Sequence, residues 1–306
     1  WQCYSTKDLK NWTYEGVIMR ADKESMTWTS SGTDAWAGQV TYHYDPDLDK
    51  KYYYFYNCTW DATSGGRQSI GAAVADTPTG WSSLEAKKKY CEAKKIKTSI
   101  PDDDPKSLYF VDLGQPLVKG TFTTGESSEW NDIDPTVWVE TVNGEEHRYL
   151  SWGNKKVFVC ELNEDMISIQ DVNGDGEITF GTQVSGADST KADVIEKSMA
   201  NLGVYTEAPW IYRRKDAQGN STGPYYFFYA YDWREQMAYA TTDDLMNGTF
   251  TFGKILMPPT ATSNTNHMAV FDFKGKTYFV YHNGSVRGGS GYRRTACITE
   301  MHFNED

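Results

Sequence analysis

The sequence has no run of about 18 or more apolar residues, which excludes a helical membrane span. Positive charge is scarce: the formal net charge is −12, whereas a phosphate-binding surface needs basic patches, so nucleic acid is excluded as a partner. Cysteine is sparse and odd in number, with five residues (Cys3, Cys58, Cys91, Cys160, Cys297) and no C-x-x-C pair. That argues against a disulfide scaffold and a structural zinc site, and favours scattered buried thiols. Long amphipathic helical patterns are nearly absent. Aromatics, by contrast, make up 15% of the chain, with 21 Tyr and 11 Trp, more than a core requires; stacking on the apolar faces of sugars is one use for the excess. Five N-x-S/T sequons begin at Asn11, Asn57, Asn220, Asn247 and Asn283, and they matter only on a eukaryotic secretory route.

Short aromatic strands recur throughout. An opening half, a strand and turn followed by a Tyr- and Phe-rich strand, occurs at Ala35–Thr59, Ile133–Asn154, Glu207–Asp232 and Asn266–Gly284. A closing half of small residues ending in an Asp-containing turn occurs at Cys3–Gly16, Ala72–Ser83, Val159–Ile169, Met237–Phe250 and Thr295–Asp306. Four-stranded antiparallel repeats of this size predict an all-β, five-bladed β-propeller, with an irregular β-sandwich as the alternative. Five closings against four openings imply that the inner half of the first blade lies upstream of Trp1. The polar segment from Leu84 to Gly125, with Lys87, Lys88, Lys89 and then Asp102, Asp103, Asp104, reads as an excursion from a blade within one domain spanning 1–306.

The first strand of each propeller blade lines the axis, so the residues that open it crowd together. Here they are Ala35-Trp36-Ala37, Ile133-Asp134-Pro135, Glu207-Ala208-Pro209 and Asn266-His267-Met268. Two carboxylates from different repeats, Asp134 and Glu207, are thereby expected in one pocket, each close to a proline that biases the residue before it to extended geometry. The segments Trp130–Asn154, Tyr205–Arg214, Thr265–Gly284 and Gly291–Met301, with "DAWAGQV" and "IGAAVADTPTGW" in the second repeat, resemble glycoside hydrolase family 43 over nearly the whole chain. The family more often has E-G-P where this chain has Glu207-Ala208-Pro209.

The resemblance implies inverting hydrolysis by three carboxylates. Glu207 would be the general acid and Asp134 the carboxylate that orients it and keeps its pKa high. The general base of the family sits on the first strand of the first blade, so it is expected upstream of Trp1. Asp34, beside Trp36, is the alternative within the chain, although it belongs to the second repeat. His267 matches a family position that contacts a structural Ca²⁺ in the central channel; a satisfied structural His is the alternative. Trp36 and Trp210 are candidates for sugar stacking or for blade packing. Arg294 is a candidate for hydrogen-bonding substrate hydroxyls, with Arg293 directed away by strand alternation. No organic cofactor is implied.

The implied substrate is a plant cell-wall polysaccharide or oligosaccharide. The leading expectation is an α-L-arabinofuranosidase acting on arabinoxylan or arabinan, with β-D-xylosidase and a non-catalytic carbohydrate-binding propeller as alternatives. Fructan- and sucrose-cleaving propellers are disfavoured, because I-D-P and E-A-P stand where those have R-D-P and E-C. Protein-interaction propellers are disfavoured by the missing W-D signature. A secreted or periplasmic monomer, or weak oligomer, is the expected setting. Finally, "DVNGDGEITF" (Asp171–Phe180) matches the first part of a Ca²⁺ loop, but Thr182 stands where a bidentate acid is required, so a Gly-rich turn is the favoured reading.

Overall fold

The computed structural model describes residues 1–30, 32, 34–123, 130–183, 191–260 and 262–304. By its internal contacts the chain forms two compact units, Trp1–Pro135 with Leu162–Gln170, and Thr136–Glu161 with Asp171–Asp306.

The first unit begins with an antiparallel pair, β1 (Gln2–Thr6) and β2 (Trp12–Val17). Asp8 ends the first strand by accepting the amides of Lys10 and Asn11 in the turn. A four-stranded sheet follows: β3 (Gln39–Asp45), β4 (Lys50–Asp61), β5 (Arg67–Ala75) and β6 (Val111–Asp112), paired in that order and antiparallel throughout. Tyr52, Tyr54, Phe55 and Tyr56 are all buried, so β4 reads as a nearly continuous aromatic run, as expected of a strand covered on both faces. β5 answers it with Ala72, Ala73, Val74 and Ala75, which leave room for the rings. At Gly71 a side chain would lie 2.8 Å from the Trp28 ring, so only glycine fits.

The polar segment after β5 contains a helix, α1 (Leu84–Lys94), where the sequence pattern offered no helix. The Ser83 hydroxyl caps it by accepting the Ala86 amide, and it buries only Lys87, Tyr90 and Cys91, three positions on one face. The chain then returns to the sheet as β6. Residues 124 and 125, the last two of the polar segment as read from sequence, lie outside the described residues.

The second unit holds three sheets among the described residues. One contains β7 (Thr136–Val142), β8 (Glu145–Trp152), β9 (Phe158–Glu161), β10 (Phe180–Thr182) and β11 (Val194–Glu196) in the order β10-β11-β9-β8-β7. Its outer strands come from residues beyond the repeat pattern: β11 pairs antiparallel with β9, and β10 pairs parallel with β11. Next come β12 (Tyr205–Lys215), β13 (Ser221–Tyr231), β14 (Gln236–Thr242) and β15 (Thr251–Met257), an antiparallel meander. The last sheet has β16 (Ala269–Phe273), β17 (Lys276–Asn283) and β18 (Thr295–Met301). Asn143-Gly144 and Lys274-Gly275, with φ of 53°, 87°, 51° and 76°, make the tight two-residue turns of the first and last hairpins.

Strand alternation explains how these sheets share a core. Phe227 and Tyr229 of β13 face a cluster with Tyr149, Val157, Tyr205 and Phe250, while Phe228 and Ala230 face Tyr212, Met268, Val270 and Phe279. A fully buried Phe contributes about 1.5–3 kcal/mol relative to an exposed one, so β13 works as a two-sided wedge between its neighbours. All five cysteines are free thiols. Asn57, the second sequon position, is fully buried.

Candidate active site

Glu207 lies near the start of β12, where the pairing with β13 shifts register on both sides of it. Such irregularities bend a strand and re-aim a side chain. Its half-buried carboxylate accepts a hydrogen bond from Asn154 Nδ2 at 2.8 Å. Asn154 is held in turn by its two neighbours. The Tyr205 hydroxyl donates to the Gly153 carbonyl, and the Lys155 amide donates to the Thr206 carbonyl, each at 2.7 Å. Three consecutive residues of the β8–β9 turn are therefore fastened to three consecutive residues of β12. Gly153 is required there, since its φ is 139° and a side chain would come 2.0 Å from the Lys156 carbonyl. A carboxyl group fixed in this way is suited to passing a proton to an oxygen placed before it.

Asp134 is buried, in a segment that also buries Asn131, Asp132 and Ile133. Asp132 anchors that segment, both of its oxygens lying 2.7 Å from the Thr123 hydroxyl. The expected extended geometry before the prolines is corrected by the structure: Asp134 has φ of 59° and Ala208 has φ of 60°. Left-handed backbone costs about 1–2 kcal/mol in a residue with a Cβ, so both openings hold strain that the surrounding packing must offset. Thr136, which opens β7 directly after Asp134-Pro135, accepts the Ile211 amide of β12 at 3.3 Å.

His267 precedes β16. Burial, and then the charge of Arg294, pushes its pKa down to about 4, and burial does the same to His282. Both imidazoles are neutral above that range. The Arg294 guanidinium donates to the Thr265 hydroxyl at 2.7 Å, and His282 Nε2 lies 2.7 Å from the Thr265 carbonyl. Glu235, which sequence reasoning missed, is buried after β13 with its Oε2 accepting the Thr265 amide at 2.6 Å. Asn266 donates its side-chain amide to the Glu235 carbonyl at 3.0 Å. No sequence signal marked Glu235, because it belongs to neither half of the repeat.

A Ca²⁺ ion takes six to eight oxygen ligands. Around His267 this unit supplies imidazole, hydroxyl and carbonyl groups beside a guanidinium, and no group of three or more His, Cys, Asp or Glu able to hold a metal occurs among the described residues. Of these groups the carbonyl and hydroxyl oxygens suit a hard dication, whereas the imidazole is a poor match for one and the guanidinium charge opposes it. In the Asp171 loop, the carboxylate accepts the Gly174 and Gly176 amides at 2.7 Å each, which is the geometry of the Gly-rich turn.

Trp36 belongs to a cluster of three indoles in the first unit. Its ring centroid lies 5.9 Å from that of Trp60 and 5.2 Å from that of Trp130, and Trp130 is 48% exposed. Neither Trp60 nor Trp130 was singled out from the sequence as a stacking residue. Asp34 offers its carbonyl to the Thr59 hydroxyl at 3.2 Å. Trp210 donates its indole N–H to the Val270 carbonyl at 3.0 Å and packs in the core between β12 and β16, which engages it in joining the two sheets. Arg293 and Arg294 are both exposed.

Comparison with known proteins bears on this arrangement. A "Xylosidase/arabinosidase" of Bacteroides ovatus is 24% identical over 99% of this chain and 82% of its own length. An "Arabinoxylan arabinofuranohydrolase" of Paenibacillus polymyxa is 26% identical over 100% of this chain and 42% of its own. Among solved structures, RS223-Beta-xylosidase superposes with a TM-score of 0.64 at 20% identity, covering 99% of this chain and 81% of that one. A GH43 beta-xylosidase/alpha-arabinofuranosidase from a compost microbial metagenome, described in a calcium-free form with xylotriose, gives 0.61 at 21% identity over 96% of this chain and 77% of that one. These likenesses identify the fold as an all-β propeller. The family model for glycosyl hydrolases family 43 matches residues 110–306, a span that includes Asp134, Asn154, Glu207, His267 and Arg294. The chain belongs to glycosyl hydrolases family 43 and is a glycosidase.

Proposed function

We propose that this glycosidase is an exo-acting α-L-arabinofuranosidase that removes side chains from arabinoxylan or arabinan with inversion, and that it works outside the cytoplasm, secreted or periplasmic. The observation that carries the reading is the three-bond fastening of the β8–β9 turn to β12, which fixes the Glu207 carboxyl through Asn154. Glu207 is the general acid that protonates the departing oxygen. Asp134 is the second carboxylate, orienting Glu207 and disfavouring its ionisation by like charge. In a five-bladed propeller the base falls to a carboxylate on the first strand of a first blade, about 6.5–9.5 Å from the acid so that water fits between them. Trp36 and its indole neighbours supply a stacking surface, and Arg294 bonds sugar hydroxyls. His267 serves as a neutral structural imidazole.

β-D-xylosidase activity is the second reading, favoured by the likeness of the fold to β-xylosidase structures. Nitrophenyl α-L-arabinofuranoside and β-D-xyloside separate the two, and proton NMR of the first-formed sugar reports inversion. Glu207→Gln is expected to lower turnover about 10²–10⁴-fold on arabinoxylan, whose leaving group needs a proton, and far less on the nitrophenyl glycoside. Equal losses on both substrates would remove Glu207 from the acid role.

A further inference from the structure

The polar segment between β5 and β6 encloses a cavity of about 400 Å³ that lies wholly within the first unit and is independent of the hydrolytic reading. That volume falls within the roughly 300–1,000 Å³ typical of small-molecule sites. Its wall is tied together by the Ser99 hydroxyl on the Glu24 carbonyl, by the ion pair of Lys106 with Glu24, and by the Thr27 hydroxyl on the Gly114 carbonyl at 3.3 Å.

Three lysines line this cavity: Lys87, Lys95 and Lys97. Nearby Lys88, Lys94 and Lys106 each pair with a carboxylate, whereas the three that line the cavity have none within ion-pair distance among the described residues. Lys87 is 2% exposed, and its ammonium gives one hydrogen bond, to the Ser107 carbonyl at 2.8 Å, although it carries three donors. Ser25 is 5% exposed and lines the same cavity, and its hydroxyl has no partner. A buried ammonium with unused donors and a buried orphan hydroxyl at one cavity are costly unless something meets them. Lys95 adds a third sign. It caps α1 with φ of 58°, a position where glycine is the usual residue, yet it carries a side chain to the cavity wall.

We propose that this cavity binds a hexuronate, a pyranose sugar bearing one carboxylate. The lysines match the carboxylate, and Ser25 matches a ring hydroxyl. The buried Asp112 carboxyl, held by Trp28 Nε1 at 3.0 Å and the Gly114 amide at 2.7 Å, lines the wall as an acceptor for a second hydroxyl. The same carboxyl disfavours a phosphate dianion, whose doubled negative charge it repels and which is too small to fill the space.

Saturation-transfer NMR and calorimetric titration with sodium D-glucuronate, D-glucose and inorganic phosphate test the site. Glucuronate is expected to bind saturably and at least about tenfold more tightly than glucose, the margin of one charge-assisted hydrogen bond. Lys87→Met and Ser25→Ala are each expected to weaken it about tenfold or to abolish it. Hydrolysis of nitrophenyl pentosides by these variants should match the wild type. If Lys87→Met does not fold, Ser25→Ala and Lys97→Gln carry the measurement. Absence of saturable glucuronate binding, equal binding of glucose, tighter binding of phosphate, or folded variants that bind like the wild type would each overturn the proposal.

Discussion

At the scale of single residues, the position of Glu207 was legible and its hydrogen-bond partner was not. Glu207 stood out because it opens a repeat two residues before a proline. Asn154, 53 positions away, carries no mark in a single sequence, and only the folded turn brings it to the carboxylate. Asn154→Ala removes the donor while leaving Gly153 and Lys155 fastened. It is expected to lower kcat by about 10–100-fold with little change in thermal stability, because misplacing a reacting group is expensive in rate even when the fold is intact. Steady-state kinetics beside thermal unfolding of the same preparation measure both. Backbone angles explain a departure from the family pattern as well. With φ of 60°, position 208 suits the glycine of E-G-P, and Ala208 keeps its methyl buried at the cost of left-handed strain. The prolines misled on this point: the general preference for extended geometry before Pro yields just ahead of β7 at Asp134 and at the register shift within β12 at Ala208.

Strands could be read from the sequence because alternation and aromatic runs register on a scale of five to ten residues. The four openings became β3–β4, β7–β8, β12–β13 and β16–β17. The helix α1 could not be read. Its one buried face is made of Lys87, Tyr90 and Cys91, a combination without the apolar stripe by which amphipathic helices are recognised. The outer strands β10 and β11 also escaped, being three residues each and separated from the repeat by a turn. α1 carries a prediction of its own. Lys95→Gly relieves the left-handed cap and should raise stability by about 0.5–1 kcal/mol, read as a higher midpoint in urea with an unchanged slope. A lower midpoint would mean that the lysine stem contributes more packing than its backbone costs.

For the molecule as a whole, buried ionisable groups set opposing pH dependences. His267 and His282 have pKa values lowered to about 4, below the ordinary 6.5 of an unfolded chain. Between those values the unfolded state binds more protons, so their contribution to stability is present above pH 6.5 and is lost on acidification toward pH 4. Asp112 acts in reverse. Burial raises its carboxyl from 3.8 to about 7, so the folded state binds the extra proton, and that contribution is lost as pH rises through 7. Asp112→Asn keeps an acceptor oxygen for Trp28 and Gly114, and its melting temperature relative to wild type should climb from pH 4 to pH 8. His282→Gln should show the opposite trend, gaining on the wild type as pH falls below 6.5. Parallel melting curves for all three proteins would refute both assignments. The repeated sheets behind this behaviour were visible in the sequence as a count of similar halves. Which buried acid or imidazole lacks water was not, because desolvation is a property of neighbours brought together by folding.

The Lys155 amide sits in a turn between two strands, yet its proton is given to Thr206 as in a sheet ladder. Solvent deuterium should therefore replace it slowly, at the pace of the β12 amides rather than of the other hairpin tips. A loop that behaves this way loosens only when the strand beside it does, so the contact of Asn154 with the Glu207 carboxylate lasts as long as that sheet edge stays closed.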